Sequence, residues 1–78
     1  MTADEYREAI KALELSQVGA GRLLGVDGRT SRRWASGASD VPPPVERFLR
    51  YLIVANVAPD AVMKALGLNT PEREGPPE

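Results

Sequence analysis

Residues 29–33 hold three arginines, Arg29, Arg32 and Arg33. If this stretch is helical, at about 100° per residue, they fall near ~0°, ~−60° and ~40°, within one arc of about 100°. Trp34, Ser31 and Ala35 fall near ~140°, ~200° and ~240°, on the opposite side. A guanidinium is a planar fork of N–H donors that matches phosphate oxygens and the O6/N7 edge of guanine. A solvated helix face would interleave carboxylates at i+3 or i+4, and no Asp or Glu lies between Gly28 and Ser39. The arginine face therefore reads as a surface for an anionic partner. Trp34, the only tryptophan, reads as the core side that clamps this helix to the rest of the chain.

The composition excludes much else. There is no histidine and no cysteine among the 78 residues. Disulfides, thiolate metal sites, the commonest general base and the serine triad are all removed. No enzyme activity, cofactor, metal or small-molecule ligand is expected. The longest apolar stretch, Tyr51 to Ala58, contains Asn56, whereas a membrane span needs about 20 apolar residues. The acidic start, Met1-Thr2-Ala3-Asp4-Glu5, does not resemble a secretory leader. A cytoplasmic location is the resulting expectation.

The net charge of −1 hides an uneven distribution. Residues 1–15 carry two basic and four acidic groups, and residues 58–78 the same. Residues 40–57 balance. Residues 16–39 hold Arg22, Arg29, Arg32 and Arg33 against Asp27 alone. A phosphate backbone responds to that local basic segment rather than to the global sum.

The elements that would position the arginines follow from periodicity and caps. Thr2 caps a first helix over about Ala3 to Leu13, with Tyr6, Ala9, Ile10 and Leu13 on its inner face. Ser16 caps a second, Gln17 to Leu24, with Ala20, Leu23 and Leu24 buried. Gly19 and Gly21 each cost this helix about 0.5–1 kcal/mol relative to alanine, and Gly21 on the inner face allows a close approach. Gly25 ends the helix, Val26 plugs the core, and Asp27 caps a third helix from Gly28 to Ser36, closed by Gly37. After a loop over Ala38 to Val41, a fourth helix begins at Pro43 or Pro44 and runs to about Val57. Its apolar stripe is Val45, Phe48, Leu49, Leu52 and Ile53. A fifth spans Pro59 to Leu66 and stops at Gly67. The expected organisation is an all-α domain over residues 1–67, a compact bundle of about five helices, and a disordered tail over 68–78.

Two short helices joined by a glycine-containing turn form the helix-turn-helix layout. Residues 14–52, and above all Leu15-Ser16-Gln17, Leu23-Leu24-Gly25-Val26-Asp27 and Arg29-Thr30-Ser31-Arg32-Arg33-Trp34-Ala35-Ser36-Gly37, resemble the Xre/Cro-type helix-turn-helix family of bacterial and phage repressors. The resemblance covers about half the chain. It implies a lambda-repressor-like fold and a DNA-binding regulator of transcription, most often a repressor, that binds a palindromic operator as a homodimer. Carried over position by position, Gly28, Arg29 and Arg33 stand where that family reads base edges, with Arg32 alongside. Gln17 stands where a phosphate or a base is bonded at the start of the second helix, Thr30 where a hydroxyl meets phosphate, and Ser36 where the chain approaches the backbone. Three positions depart from the family's pattern. Ser31 replaces a branched apolar residue, Ala20 a larger apolar one, and Gly28 offers no side chain for base reading. A weaker or repacked core contact is expected at Ser31.

Arg22, on the second helix, either touches phosphate or covers apolar surface with its stem. Arg47 and Arg50, beside Glu46, read as a solvated face, with flanking phosphate as the alternative. Double-stranded DNA and a second copy of the chain, docked through the C-terminal helices, are the expected partners. The competing reading is an antitoxin or adaptor-type protein-interaction module, for which Ala61, Val62, Ala65 and Leu66 would supply the apolar contact.

Overall fold

The structure is a computed structural model that describes residues 1–68. It contains five α-helices, α1 (Ala3–Ala12), α2 (Gln17–Leu24), α3 (Gly28–Ser36), α4 (Pro43–Val54) and α5 (Pro59–Ala65). No strand occurs among the described residues. The expected all-helical bundle is the fold found. The tail expected over 68–78 lies, apart from Leu68, outside the described residues.

Each helix starts where a cap or a proline dictates. At α1 the Glu5 amide donates to Thr2 Oγ1 (3.1 Å) and the Thr2 amide to Glu5 Oε1 (2.8 Å). This reciprocal pair satisfies two otherwise orphaned donors. Ser16 Oγ accepts from the Gly19 amide at 2.9 Å, and an Asp27 carboxylate oxygen from the Thr30 amide at 2.7 Å. α4 and α5 have no side-chain cap and place prolines in their first turn instead, where the missing N–H has no partner to lose.

The helix ends corrected the sequence reading. α4 stops at Val54 rather than Val57, because Asn56 turns left-handed (φ 57°). The Val57 amide then reaches back to the Leu52 carbonyl at 2.9 Å, and Val57 tucks against the core. α1 ends one residue early, at Ala12, with Glu14 left-handed (φ 60°) and the Leu15 amide on the Ile10 carbonyl at 2.8 Å. α5 ends at Ala65 rather than Leu66, by the same device at Gly67 and Leu68. In each case one left-handed residue is followed by an apolar one, the Schellman closure of a helix. The signal was present as Asn-Val and Glu-Leu, but it was legible beforehand only where glycine supplied it.

The core gathers Tyr6, Ala9, Ile10, Leu15, Ala20, Leu23, Trp34, Ala35, Val41, Leu49, Leu52 and Met63. Leu13, Leu24, Val26, Val45 and Phe48 pack partly buried against it. Ile53, expected inside, is 41% exposed at the rim. On α5 the buried residues are Pro59 and Met63. Ala61, Ala65 and Leu66 face outward, and Val62 is half-buried.

Ser31, the expected weak point, is fully buried and is satisfied rather than orphaned. Its hydroxyl lies 2.6 Å from the Tyr6 hydroxyl. The Tyr6 ring meets Trp34 edge-on, with centroids 5.7 Å apart and planes at 77°, a favoured aromatic geometry. Burial pushes the Tyr6 phenol above its ordinary pKa, against the opposing effect of the Ser31 hydrogen bond. Tyr6→Phe is expected to lower stability by about 1–2 kcal/mol, because it strands a buried hydroxyl. The double variant Tyr6→Phe/Ser31→Ala should recover part of that loss in denaturant titrations. Glu14→Gly is expected to raise the unfolding free energy by up to about 1 kcal/mol by relieving the left-handed strain.

Candidate nucleic-acid interface

The arginine face is built by burying the other side of α3. Ser31, Trp34 and Ala35 are buried, while Arg29, Arg32, Arg33 and Ser36 are exposed. The split falls where the helical wheel placed it. Nine residues make a marginal helix in isolation, so its position depends on contacts at both ends.

At the amino end the turn Gly25–Asp27 brings α2 and α3 very close. A Cβ on Gly21 would stand 3.1 Å from the Val26 carbonyl oxygen and 3.2 Å from that of Asp27. The Val26 amide donates to the Gly21 carbonyl at 2.9 Å, and Gly25 takes the left-handed conformation (φ 78°). Gly21 thus admits the turn that starts α3. A Cβ on Gly28 would stand 3.4 Å from Val18 Cγ2. The first turns of α2 and α3 therefore abut, and Gln17, the residue before Val18, is half-buried.

Asp27 does more than cap. Hydrogen bonding from Thr30, by hydroxyl and amide, holds its carboxyl below the ordinary range, and the charges of Arg29 and Arg32 add to this. The Thr30 hydroxyl, expected to meet phosphate, is turned toward Asp27, and Thr30 itself is half-buried.

The carboxyl end is held by α1 and by the following loop. Arg7 donates to the Ala35 carbonyl and pairs with Asp4. A cation at the last turn of a helix also suits the helix dipole. Ser36 Oγ donates to the Arg33 carbonyl (3.2 Å) and accepts from the Ala38 amide (3.3 Å). The Ser36 hydroxyl is therefore occupied in closing the helix. Arg33 Nε donates to Ser39 Oγ at 3.1 Å.

Of the other sequence candidates, Gly28 is half-buried under the Arg32 side chain. Arg22 is half-buried on α2 and is not a free group. Arg50 pairs with Glu46 at 2.9 Å, and Glu46 also takes the Met1 amino group at 3.1 Å. The Met1 ammonium first, and Arg50 in addition, hold the Glu46 carboxyl below its ordinary range. Arg50, read from sequence as part of a solvated face, is exposed and ion-paired along its own helix. Arg7 and Ser39 were not singled out beforehand. Neither has a periodic signature, and only the packing of α1 and the loop across the end of α3 gives them a role.

Comparison of the chain with protein-family models, curated proteins and solved structures finds no match in any of the three.

Gly21→Ala tests the close approach. Alanine favours a helix over glycine by about 1 kcal/mol, so an open site would be stabilised. Against two backbone oxygens of the turn, which would have to give way together, the variant is expected to lose about 1–3 kcal/mol instead. Thermal and denaturant unfolding would settle the sign.

Proposed function

We propose that the chain is a sequence-specific DNA-binding regulator of transcription, most simply a repressor. In this reading it acts as a cytoplasmic homodimer on a palindromic site, with α3 as the recognition helix. The observation that carries the reading is the exposed arginine face of α3, with no carboxylate interleaved, on a helix whose opposite face is locked into the core. The major groove of DNA admits one α-helix, and arginine bonds guanine there through two parallel hydrogen bonds. Two copies would set their α3 helices one helical turn apart, about 34 Å. The C-terminal region is the favoured dimer surface, since α4 exposes Tyr51 and Val54 and the residue that follows α5, Leu66, is exposed as well.

Those same exposed side chains favour one second reading, an antitoxin or adaptor-type module that grips a partner protein. The two readings differ in their response to salt. Binding that neutralises phosphates weakens steeply as salt rises, whereas an apolar protein contact does not.

The deciding experiment selects bound sequences from a random duplex pool at near-physiological salt. The expected product is a two-fold symmetric site with guanines in each half. The logarithm of the affinity for it should fall linearly with log salt, and Arg29→Ala should cost about 1–3 kcal/mol. A folded protein that enriches nothing would transfer the weight to the protein-interaction module.

A further inference from the structure

The three arginine heads do not leave α3 in one direction. Arg32 folds back over the start of the helix, since a Cβ on Gly28 would lie 3.4 Å from Arg32 Nη1. Arg29 sits in the same first turn, and both charges act on Asp27. Arg33 goes the other way. Its Nε donates to the hydroxyl of Ser39, six residues on, while the Ser39 amide donates to the Arg33 carbonyl at 3.2 Å. Helical side chains ordinarily lean toward the amino end, so Ser39 draws the Arg33 head against that lean, toward the loop behind α3. The bond also occupies Nε and leaves the two terminal nitrogens for a partner.

A recognition helix meets base edges with its amino-terminal residues. Groups set back from that end fall to the phosphates, whose contacts position the protein without reading sequence. Resting on the DNA-binding reading above, we propose that Arg33 is a phosphate clamp positioned by Ser39, and that sequence is read from the first turn of α3 by Arg29 and Arg32. Gly28 then has a use despite lacking a side chain, because its bare surface is where the Arg32 head lies. This assignment moves Arg33 out of the base-reading set implied by the family resemblance.

The test uses the full chain and the variants Arg29→Ala, Arg32→Ala, Arg33→Ala, Ser39→Ala and Arg33→Ala/Ser39→Ala. Each is selected against random duplex DNA and then titrated with salt on the wild-type site and its single-base variants. Arg33→Ala should weaken all these sites by one common factor, reduce the dimer's salt slope by about 1.8, about 0.9 for each of its two Arg33 contacts, and leave the selected sequence unchanged. Arg29→Ala and Arg32→Ala should each flatten the preference at a guanine by roughly tenfold or more. Ser39→Ala should weaken binding, yet add nothing in the Arg33→Ala background, an outcome that a merely structural role for Ser39 would not give. A changed base preference in the Arg33→Ala pool would overturn the clamp. A Ser39→Ala loss that persists without Arg33 would overturn the positioning role. If the folded wild type enriches no site, the DNA-binding reading itself fails and this assignment with it.

Discussion

The orientation of α3 depends on what two adjacent residues of α1 do. Tyr6 places its ring edge against Trp34 and its hydroxyl on Ser31. Arg7 reaches the Ala35 carbonyl. Ser31, Trp34 and Ala35 are the three buried residues of α3, so a single turn of α1 engages all of them. A helix held along its inner face cannot roll, and its outer face is thereby aimed. Ring packing alone would tolerate some rotation. The hydrogen bond between two fully buried hydroxyls does not, because each is costly to leave unpaired in a water-free core.

Rolling is one freedom and sliding is another. α3 is kept from sliding by its ends. The Gly25–Asp27 turn sits against Gly21 with backbone oxygens 3.1 and 3.2 Å from where a Cβ would stand, closer than a side chain ordinarily tolerates. Gly37 (φ 86°) closes the other end beside Ala3, whose Cβ would lie 3.7 Å from one built on the glycine. Close approach at one end and a left-handed turn at the other are both glycine's work here. They allow a nine-residue helix to be rigid without being long.

Charge follows the same economy of placement. Asp27 is the one acidic residue in the basic segment 16–39, and it is committed to the amide and hydroxyl of Thr30 at the start of α3. It nevertheless lies close enough to Arg29 and Arg32 to feel their charge. The acid that opens the helix therefore tempers the basic face at its amino end, while Arg33 answers to Ser39 instead. An overall charge of −1 is compatible with a concentrated basic face because the remaining acids lie outside residues 16–39: four before that segment and six after it.

The sequence by itself determined the five helices, four of their starts to the residue, and which side of α3 would be buried. These are local properties. Caps, prolines and a repeat near 3.6 residues act within a few positions of one another. What only the tertiary structure decided has long-range partners. The pairing of Tyr6 with Ser31 spans 25 residues, and the reach of Arg7 to Ala35 spans 28. Neither leaves a periodic trace, so a weaker or repacked contact was the expectation at Ser31, and Tyr6 decides that it is repacked through a hydrogen bond. The early end of α4 was missed for a related reason, since asparagine at a left-handed position is permitted rather than required. The directions of the Arg32 and Arg33 heads were equally hidden. A helical wheel fixes where a side chain begins, while the neighbours around it, Gly28 for Arg32 and Ser39 for Arg33, decide where it ends.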